Sequence, residues 1–304
     1  MTTDTEETIS SDNYKEIEPK EVNMQYHLYL FFFIVIYFGS FLLPGILYML
    51  YYLVIFQPFV LENPNFLSLF TNLNSLLALL LFPVIMIISY FLHLVFIGIV
   101  TKLWWSFTEK MSPTKDGIIL RSVPSDTLNY YHIRSFIIKY GKYAFTKGIF
   151  PWLSNWFYNF VGSSKIGKGS TIEEEIVADK YIDVGENCYV GVNSAICSHV
   201  VEGIFGRIPY FEIKLHDNVT CSAFNIVGPG CDIGENSYLL PLGSTGKHQN
   251  TKGGNYYFGL PARKIFTKKV MNYLKISQED LERDKQLREA QLTNKQKEKN
   301  KDDS

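Results

Sequence analysis

A histidine and a carboxylate lie close together at a point where a regular pattern in the sequence breaks off. His199 and Glu202 are three residues apart, at the start of the segment that interrupts a run of six-residue repeats. Because an ordinary histidine can accept a proton at neutral pH, His199 is a candidate general base. Glu202 is near enough in sequence to orient the imidazole ring, as a carboxylate does in a catalytic triad. The alternative is a surface histidine in a turn, with no catalytic role.

The six-residue repeat has an apolar residue at its first position on both sides of the interruption. These residues are Ile166, Ile172, Ala178, Val184, Val190 and Ile196, followed by Leu215, Cys221, Val227, Ile233 and Leu239. Glycine is frequent at the second position, and small or β-branched residues are frequent at the fifth. A period of six fits neither an α-helix nor an isolated strand. It predicts a parallel β-helix, in which each repeat forms a short strand and a corner and three repeats make one turn.

The position of His199 within its repeat predicts where its side chain points. It is the fourth residue of the repeat, at a corner of the coil, where side chains face outward. We therefore expect the ring to be open to solvent and to a neighbouring subunit. After the interruption the repeat resumes one residue out of phase, and the glycine-rich segment 243–255 is expected to be a long loop.

Two long windows of the chain, 28–56 and 63–101, contain no charged residue. A bilayer core is crossed by about 20 apolar residues, so each window predicts at least one transmembrane helix, and for the longer first window one helix is preferred to two half-length ones. The first helix is expected to be tilted or kinked at Pro44, and the second to cover roughly residues 76–100. His93 lies in the second helix, and we expect it to be packed or interfacial rather than part of a proton relay.

Basic residues flank both windows but are missing from the connector between them. Lys15 and Lys20 precede the first window, and Lys102 and Lys110 follow the second. By the positive-inside rule, both ends of the membrane region face the cytoplasm. We therefore expect an integral membrane protein in contact with membrane lipids, with its β-helix domain on the cytoplasmic side.

Changes in composition divide the chain into five regions. They are a disordered acidic tail (1–26), a two-helix transmembrane region (27–103), an aromatic and basic connector (104–160), a β-helix domain (161–266) and a charged C-terminal helix and tail (267–304). The connector suits helices in the lipid headgroup plane, or a helical cap on the open end of the β-helix, and both interpretations stay open. Ser277 and Asp280 have the spacing of a helix start before the C-terminal segment.

Charge and cysteine usage argue against two other classes of protein. The net charge is −1 and no basic stripe accompanies the aromatic residues, so nucleic-acid binding is not expected. The four cysteines occupy repeat positions without a C-x-x-C pair. This usage is typical of small buried side chains, and we expect no metal site.

Five segments of the chain carry a family resemblance. They are Ile166-Gly167-Lys168-Gly169-Ser170, the run from Val184 to Ile196, His199 with Glu202, Ile233-Gly234-Glu235-Asn236 and Gly259-Leu260-Pro261-Ala262-Arg263. Together they resemble the hexapeptide-repeat acyltransferase family, whose fold is a left-handed parallel β-helix. More narrowly, the two membrane helices, Trp104-Trp105 and the His199 segment resemble the membrane-anchored C-terminal domains of ε-poly-lysine-synthetase-type peptide synthetases.

The resemblance implies a homotrimer with active sites in the clefts between neighbouring subunits. It implies that His199 is the general base, which removes a proton from the amine or hydroxyl of a small-molecule or peptide acceptor. The acceptor attacks an acyl thioester, which is acetyl-CoA or another acyl-CoA. The role of Glu202 as the residue that orients His199 follows from the narrower resemblance.

Three alternatives remain beside the acyl-CoA-dependent transferase. The first is peptide-bond formation from an aminoacyl thioester on a carrier protein, without CoA. The second is a non-catalytic trimeric scaffold that clusters membrane partners. The third is a zinc hydratase, because γ-type carbonic anhydrases share the solenoid and bind zinc through three histidines. His199, His216 and His248 lack the short spacing of that metal site.

Overall fold

The computed structural model describes residues 25–62, 65–173 and 180–302 of the chain. The predicted acidic tail lies outside the described residues, apart from its last two positions. The repeat position Ala178 also lies outside them.

The described part of the chain begins with two long apolar helices. Helix α1 covers Tyr26–Leu61 and helix α2 covers Leu73–Met111, and both are long and apolar enough to cross a membrane. A helical turn, Ser68–Thr71, joins them. Helix α2 continues past residue 103, where the transmembrane region was expected to end, because its last turns pack against the connector through the buried side chains of Ile97 and Trp105.

Pro44 and His93 together explain an irregular stretch of α1. Between Ile34 and Phe41 the helix departs from α geometry, just before Pro44. Proline has no N–H to donate to the carbonyl four residues earlier, which is that of Ser40. The His93 ring takes its place, with Nδ1 3.2 Å from the Ser40 oxygen. A carbonyl only accepts, so Nδ1 carries the proton. His93 is packed, as expected, and 6% exposed.

The aromatic and basic connector folds into strand β1 and two helices that close the end of the coil. Strand β1 is Gly117–Leu120, α3 is Asp126–Thr146 and α4 is Ser154–Val161. Asn159 of α4 uses its side-chain amide like a further strand, accepting from the N–H of Ile166 and donating to its carbonyl, each at 2.8 Å. The structure therefore shows the helical cap, and the position of these helices in the headgroup plane stays a prediction.

A column of mostly parallel strands follows, wound in turns of three repeats. The first face contains β2 (Lys165–Ile166), β4 (Ile182–Val184), β8 (Ile213–Leu215), β11 (Asp232–Ile233) and β13 (Asn250–Thr251). The second contains β3 (Thr171–Ile172), β5 (Tyr189–Val190), β9 (Thr220–Cys221), β12 (Tyr238–Leu239), β14 (Tyr256–Phe258) and β15 (Arg263–Lys264). The third contains β6 (Ala195–Ile196) and β10 (Ile226–Val227). Ile166 pairs with Val184 and Leu215 with Ile233, which confirms a turn of three six-residue repeats.

The first and second positions of the repeat have the predicted roles. Most described first-position side chains are fully buried in the column, and Ile172 is partly buried. The second-position glycines lie against the backbone of the next turn. A Cβ added at Gly191 would collide with the carbonyl oxygen of Ser222, and one at Gly185 would lie 2.7 Å from the Asp217 nitrogen.

The fourth position of the repeat forms the corner, and the sequence pattern gave no prediction of its backbone conformation. Asn187, Asn193, Asn218 and Asn236 occupy this position with φ between 53° and 57°. Asparagine tolerates this left-handed region better than most residues. His199 stands in the same position without a positive φ, because the chain leaves the coil there.

The interruption of the repeat is an antiparallel hairpin. His199 bridges to Tyr210, and Glu202 bridges to Arg207. The second arm is strand β7, Arg207–Tyr210, which pairs antiparallel with β1 of the connector. The hairpin is therefore held between the coil and the segment that follows the long helices.

The expectation of a long loop at 243–255 is wrong, because the coil continues through this segment. Thr245 and Thr251 occupy first positions of the repeat and are buried. Their hydroxyls accept from the N–H groups of Gly228 and Gly234, at 3.0 and 3.2 Å. These hydrogen bonds allow a polar residue to face the core, and the apolar pattern consequently missed two repeats.

The chain ends in helices α5, Thr267–Leu274, and α6, Gln278–Asp302. The predicted helix start is confirmed, since the Asp280 N–H donates to Ser277 Oγ at 3.1 Å and the Ser277 N–H donates to the Asp280 carboxylate at 3.0 Å. The hydrogen bonds that the Ser277 hydroxyl and then the Ser277 N–H donate to the carboxylate lower the pKa of Asp280.

Replacing Gly191 with alanine tests the close approach of successive turns. We expect the Gly191→Ala variant to lose at least about 1–3 kcal/mol of unfolding free energy, because the new Cβ meets backbone that cannot move aside. Gly246→Ala is the matched control, since the nearest atom to its Cβ would be Pro261 Cβ at 4.0 Å. Thermal unfolding of the purified protein measures both, and equal midpoints for the two variants would contradict the close approach.

Candidate functional site

His199 lies at the base of the hairpin with its ring packed between two tyrosines. The ring centroids of Tyr131, from α3, and Tyr210, from β7, are 5.4 and 6.2 Å from that of the imidazole, both edge-on. The ring is partly open to solvent, because α3 lies against the corner and leaves His199 partly buried. The aromatic packing fixes the orientation of the ring.

A buried lysine supports the same tyrosine, and the sequence gave no sign of it. Lys180 is 1% exposed, and its ammonium lies 3.7 Å from the centroid of the Tyr131 ring. Its Nζ also donates to Ser135 Oγ at 2.7 Å and to the Tyr131 carbonyl at 3.3 Å. A cation on an aromatic face with two oxygen partners is compensated for the loss of water.

His132 is a second imidazole beside Tyr131, at a ring distance of 5.2 Å. Burial lowers the pKa of His132, and the positive charges of Lys180 and Arg121 lower it further. The shift favours the neutral ring at this place in the structure. The site therefore combines two histidines, a buried cation and two tyrosines where α3 meets the hairpin.

Glu202 connects the hairpin to a later turn of the coil. Its carboxylate is 2.6 Å from Nε of Arg207 and also pairs with Lys247, and its side chain is 14% exposed. The carboxylate thus bridges two cations. The predicted role of Glu202 in orienting His199 stays a prediction, since its hydrogen bond to a side chain in the structure goes to Arg207.

An ion pair between a buried arginine and a half-buried glutamate joins α3 to the end of α2. Arg134 Nε lies 2.8 Å from Glu109 Oε1, and Arg134 also donates to the carbonyls of Thr108, at 3.1 Å, and Ser112. Thr114 N–H donates to the other Glu109 oxygen at 2.9 Å. These contacts fix α3, and with it Tyr131, relative to the long helices.

The two other histidines considered for a zinc site lie elsewhere on the coil. His216 Nε2 is 2.8 Å from Asp232 Oδ1 on the exposed surface. The ring of His248 packs edge-on against Phe211 at 4.4 Å. Within the described ranges, no three His, Cys, Asp or Glu side chains are grouped as metal ligands would be.

Replacing Lys180 with methionine tests the effect of the buried charge. We expect the pKa of His132 to rise towards its ordinary value in Lys180→Met, because one of the two repelling charges is removed while burial remains. Because the pKa of His132 is lower in the folded protein than in the unfolded chain, the free energy of unfolding decreases as the pH falls from the ordinary histidine pKa through the folded pKa. We expect this decrease to be smaller in Lys180→Met.

Histidine NMR titration measures the shift of the His132 resonance. The matched control is Lys214→Met, which removes an exposed lysine paired with Glu212. An unchanged His132 titration in Lys180→Met would show that the charge of Lys180 does not reach the ring.

A double-mutant cycle separates the two roles of Glu202. We expect Glu202→Gln and Lys247→Met to show a coupling energy of about 0.5–3 kcal/mol in thermal or denaturant unfolding, because the two groups touch. If Glu202 also orients His199, then Glu202→Gln changes the pH profile of the expected acyl transfer, while Lys247→Met does not. A coupling energy of zero would contradict the bridge.

Comparison with known proteins finds one relationship in sequence and others in structure. No protein-family model matches the chain. A protein of Bacillus subtilis (strain 168) named "Putative acetyltransferase YvoF" is 27% identical over 123 residues, which cover 39% of this chain and 69% of that protein. This relationship confirms the predicted enzyme class, acyltransferase.

Two crystal structures of a Vibrio cholerae hexapeptide-repeat acetyltransferase, VCA0836, are also similar. The first is 18% identical with a TM-score of 0.32, and the match covers 35% of this chain and 64% of that one. The second, complexed with acetyl coenzyme A, is 12% identical with a TM-score of 0.34, and the match covers 41% and 81%. This chain thus spans less than two thirds of the first structure. The narrower resemblance to the C-terminal domains of peptide synthetases stays a prediction.

Proposed function

We propose that this protein is a membrane-anchored acyltransferase. It moves an acyl group from a thioester, acetyl-CoA or another acyl-CoA, to the amine or hydroxyl of a small-molecule or peptide acceptor. The observation that carries the proposal is the placement of His199, where the β-helix opens into a hairpin and two tyrosines hold the imidazole. The relationship to a Bacillus protein named as an acetyltransferase supports it.

The reaction follows from a general base next to a thioester. His199 takes the proton of the acceptor amine or hydroxyl, and the freed electron pair attacks the thioester carbonyl. The tetrahedral intermediate then expels the thiolate, which takes the proton back from the imidazolium. The products are the acylated acceptor and the free thiol, and His199 returns to its neutral form.

The proposed assembly is a homotrimer of left-handed coils, with each site in the cleft between two subunits. In such an assembly the thioester and the acceptor would bind between the subunit that carries His199 and its neighbour. The mass of the purified complex, measured by light scattering with the detergent subtracted, tests the trimer.

The proposed anchor is the pair α1 and α2, with the coil on the cytoplasmic side. Large apolar side chains are exposed along both helices, including Leu42 and Leu53 of α1 and Leu77 and Leu80 of α2. Exposed apolar surface on this scale is typical of contact with lipid. Lys102 and Lys110, near the C-terminal end of α2, favour the cytoplasmic orientation.

Replacing His199 tests the proposed base. We expect His199→Gln to lower acyl transfer by about 10²–10⁴-fold, which is the usual contribution of a general base. The measurement is release of free CoA from acetyl-CoA in the presence of an amine and hydroxyl acceptor panel. His216→Gln is the matched control, because His216 lies on the exposed surface, paired with Asp232.

Three other outcomes would overturn parts of the proposal. Absence of heat when CoA is titrated into the wild type would favour a carrier-bound thioester and peptide-bond formation. Full activity in cells of an assembled His199→Gln variant would favour a non-catalytic scaffold. Stoichiometric zinc in the purified protein would favour a hydratase.

A further inference from the structure

A cavity of about 440 Å³ lies between α1, α2 and the loop that precedes α4. Its volume is in the range of about 300–1,000 Å³ that is common for small-molecule sites. The wall is largely apolar and aromatic, and includes Phe41, Pro44, Met86, Tyr90 and Phe150. Among the described residues that line it, none is Lys, Arg, Asp or Glu.

The cavity lies where the helix pair passes from bare apolar surface to packed protein. On α2, Met86 and Ile87 are exposed, whereas Leu94 and Ile97 are buried against the connector. The exposed Trp152 follows the loop that closes the cavity, and aromatic residues are enriched at the level of lipid headgroups. The cavity is therefore continuous with the surface that the proposed membrane would cover.

One polar group of the wall has no partner within the described part of the chain. Ser89 lines the cavity and is 2% exposed, and its hydroxyl makes no hydrogen bond there. His93 offers nothing further, since Nδ1 donates to the Ser40 carbonyl and Nε2 lies 3.2 Å from the Tyr140 hydroxyl. A buried hydroxyl without a partner is unfavourable, so the site fits an apolar ligand with one oxygen acceptor.

We infer that this cavity binds one acyl chain of a membrane glycerolipid, whose ester carbonyl accepts a hydrogen bond from Ser89 Oγ. The chain fills the apolar volume, and the absence of charged lining residues leaves the headgroup outside, in water. Tyr90 holds the loop over this site, since its hydroxyl accepts from the Ile149 N–H at 3.3 Å and its ring lies 5.8 Å from that of Phe150. This inference depends on the membrane placement proposed above, but not on the acyl transfer.

A photoreactive lipid tests the site in the full-length protein. The protein is placed in nanodiscs of phosphatidylcholine that contain phosphatidylcholine with a diazirine at the end of one acyl chain. After irradiation, mass spectrometry locates the modified residues. We expect modification to concentrate on the cavity wall, at Met86, Ile87 and Phe150, above the level at Leu53 and Leu80 on the open helix surfaces.

The variant Ser89→Val removes the hydroxyl and puts two methyl groups in its place. We expect it to lower modification of the cavity wall by about two- to tenfold, which is the loss of one hydrogen bond. Modification at Leu53 and Leu80 stays unchanged and serves as the internal control. Leu80→Val is the matched control variant on the same helix, and it leaves modification of the cavity wall unchanged.

A second readout distinguishes a bound lipid from a merely structural serine. In detergent without ester lipids, we expect Ser89→Val to raise the unfolding midpoint, because the variant no longer buries an unpaired hydroxyl. Added phosphatidylcholine should raise the midpoint of the wild type more than that of the variant. An equal response of both proteins would overturn the hydrogen bond to the lipid.

The pattern of modification separates the possible failures. Equal modification of the cavity wall and the open surfaces, unchanged in Ser89→Val, would mean bulk lipid only and would overturn the site. Modification of Leu53 and Leu80 with no modification of the cavity wall would mean that protein fills the cavity. This outcome would also overturn the site. No modification of either helix would overturn the membrane placement itself, while the His199 experiment would still test the acyl transfer.

Discussion

The contact between successive turns of the coil is the constraint on which the rest of the structure depends. Each turn hydrogen-bonds to the next along three faces, and glycines such as Gly191 bring the backbones too close for a side chain. A six-residue repeat has room for a short strand and a corner, but not for a longer insertion. The segment that contains the candidate base leaves the column at His199, where the corner conformation shared by Asn187 and Asn193 is given up.

A hairpin that leaves the column needs support from outside it. Strand β1 supplies a pairing partner for β7, and the bridge from Glu202 to Arg207 and Lys247 connects the hairpin to a later turn. Buried Lys180 also supports the hairpin through Tyr131. Its ammonium lies over the Tyr131 ring, and His199 contacts the same ring in a T-shaped arrangement. The candidate base is thus positioned by its contact with Tyr131. That tyrosine is in turn held by the ammonium of Lys180, and the hairpin is held by its pairing with β1.

The sequence predicted the parts of the fold that repeat and missed those that depend on distant partners. The first positions of the repeat were found because burial demands apolar residues, and Thr245 and Thr251 were missed because hydrogen bonds can replace that demand. The candidate base was found because the pattern breaks beside it. Lys180 was missed because a buried lysine differs from an exposed one only in what surrounds it, here a tyrosine from another element. The pairing of β1 with β7 was missed because the two strands are far apart in the sequence, and neither strand alone indicates its partner.

Helix α3 relates the candidate site to the membrane. Tyr131 contacts His199, and Tyr140, about two and a half turns further along the helix, meets His93 of α2. Arg134, between them, pairs with Glu109 at the end of α2. Because these three contacts lie on one helix, His199 cannot shift relative to α2 without breaking a buried contact. The long helices therefore set the distance of the imidazole from the proposed bilayer. In the proposed reaction, the acceptors would be those that reach a fixed height above the lipid.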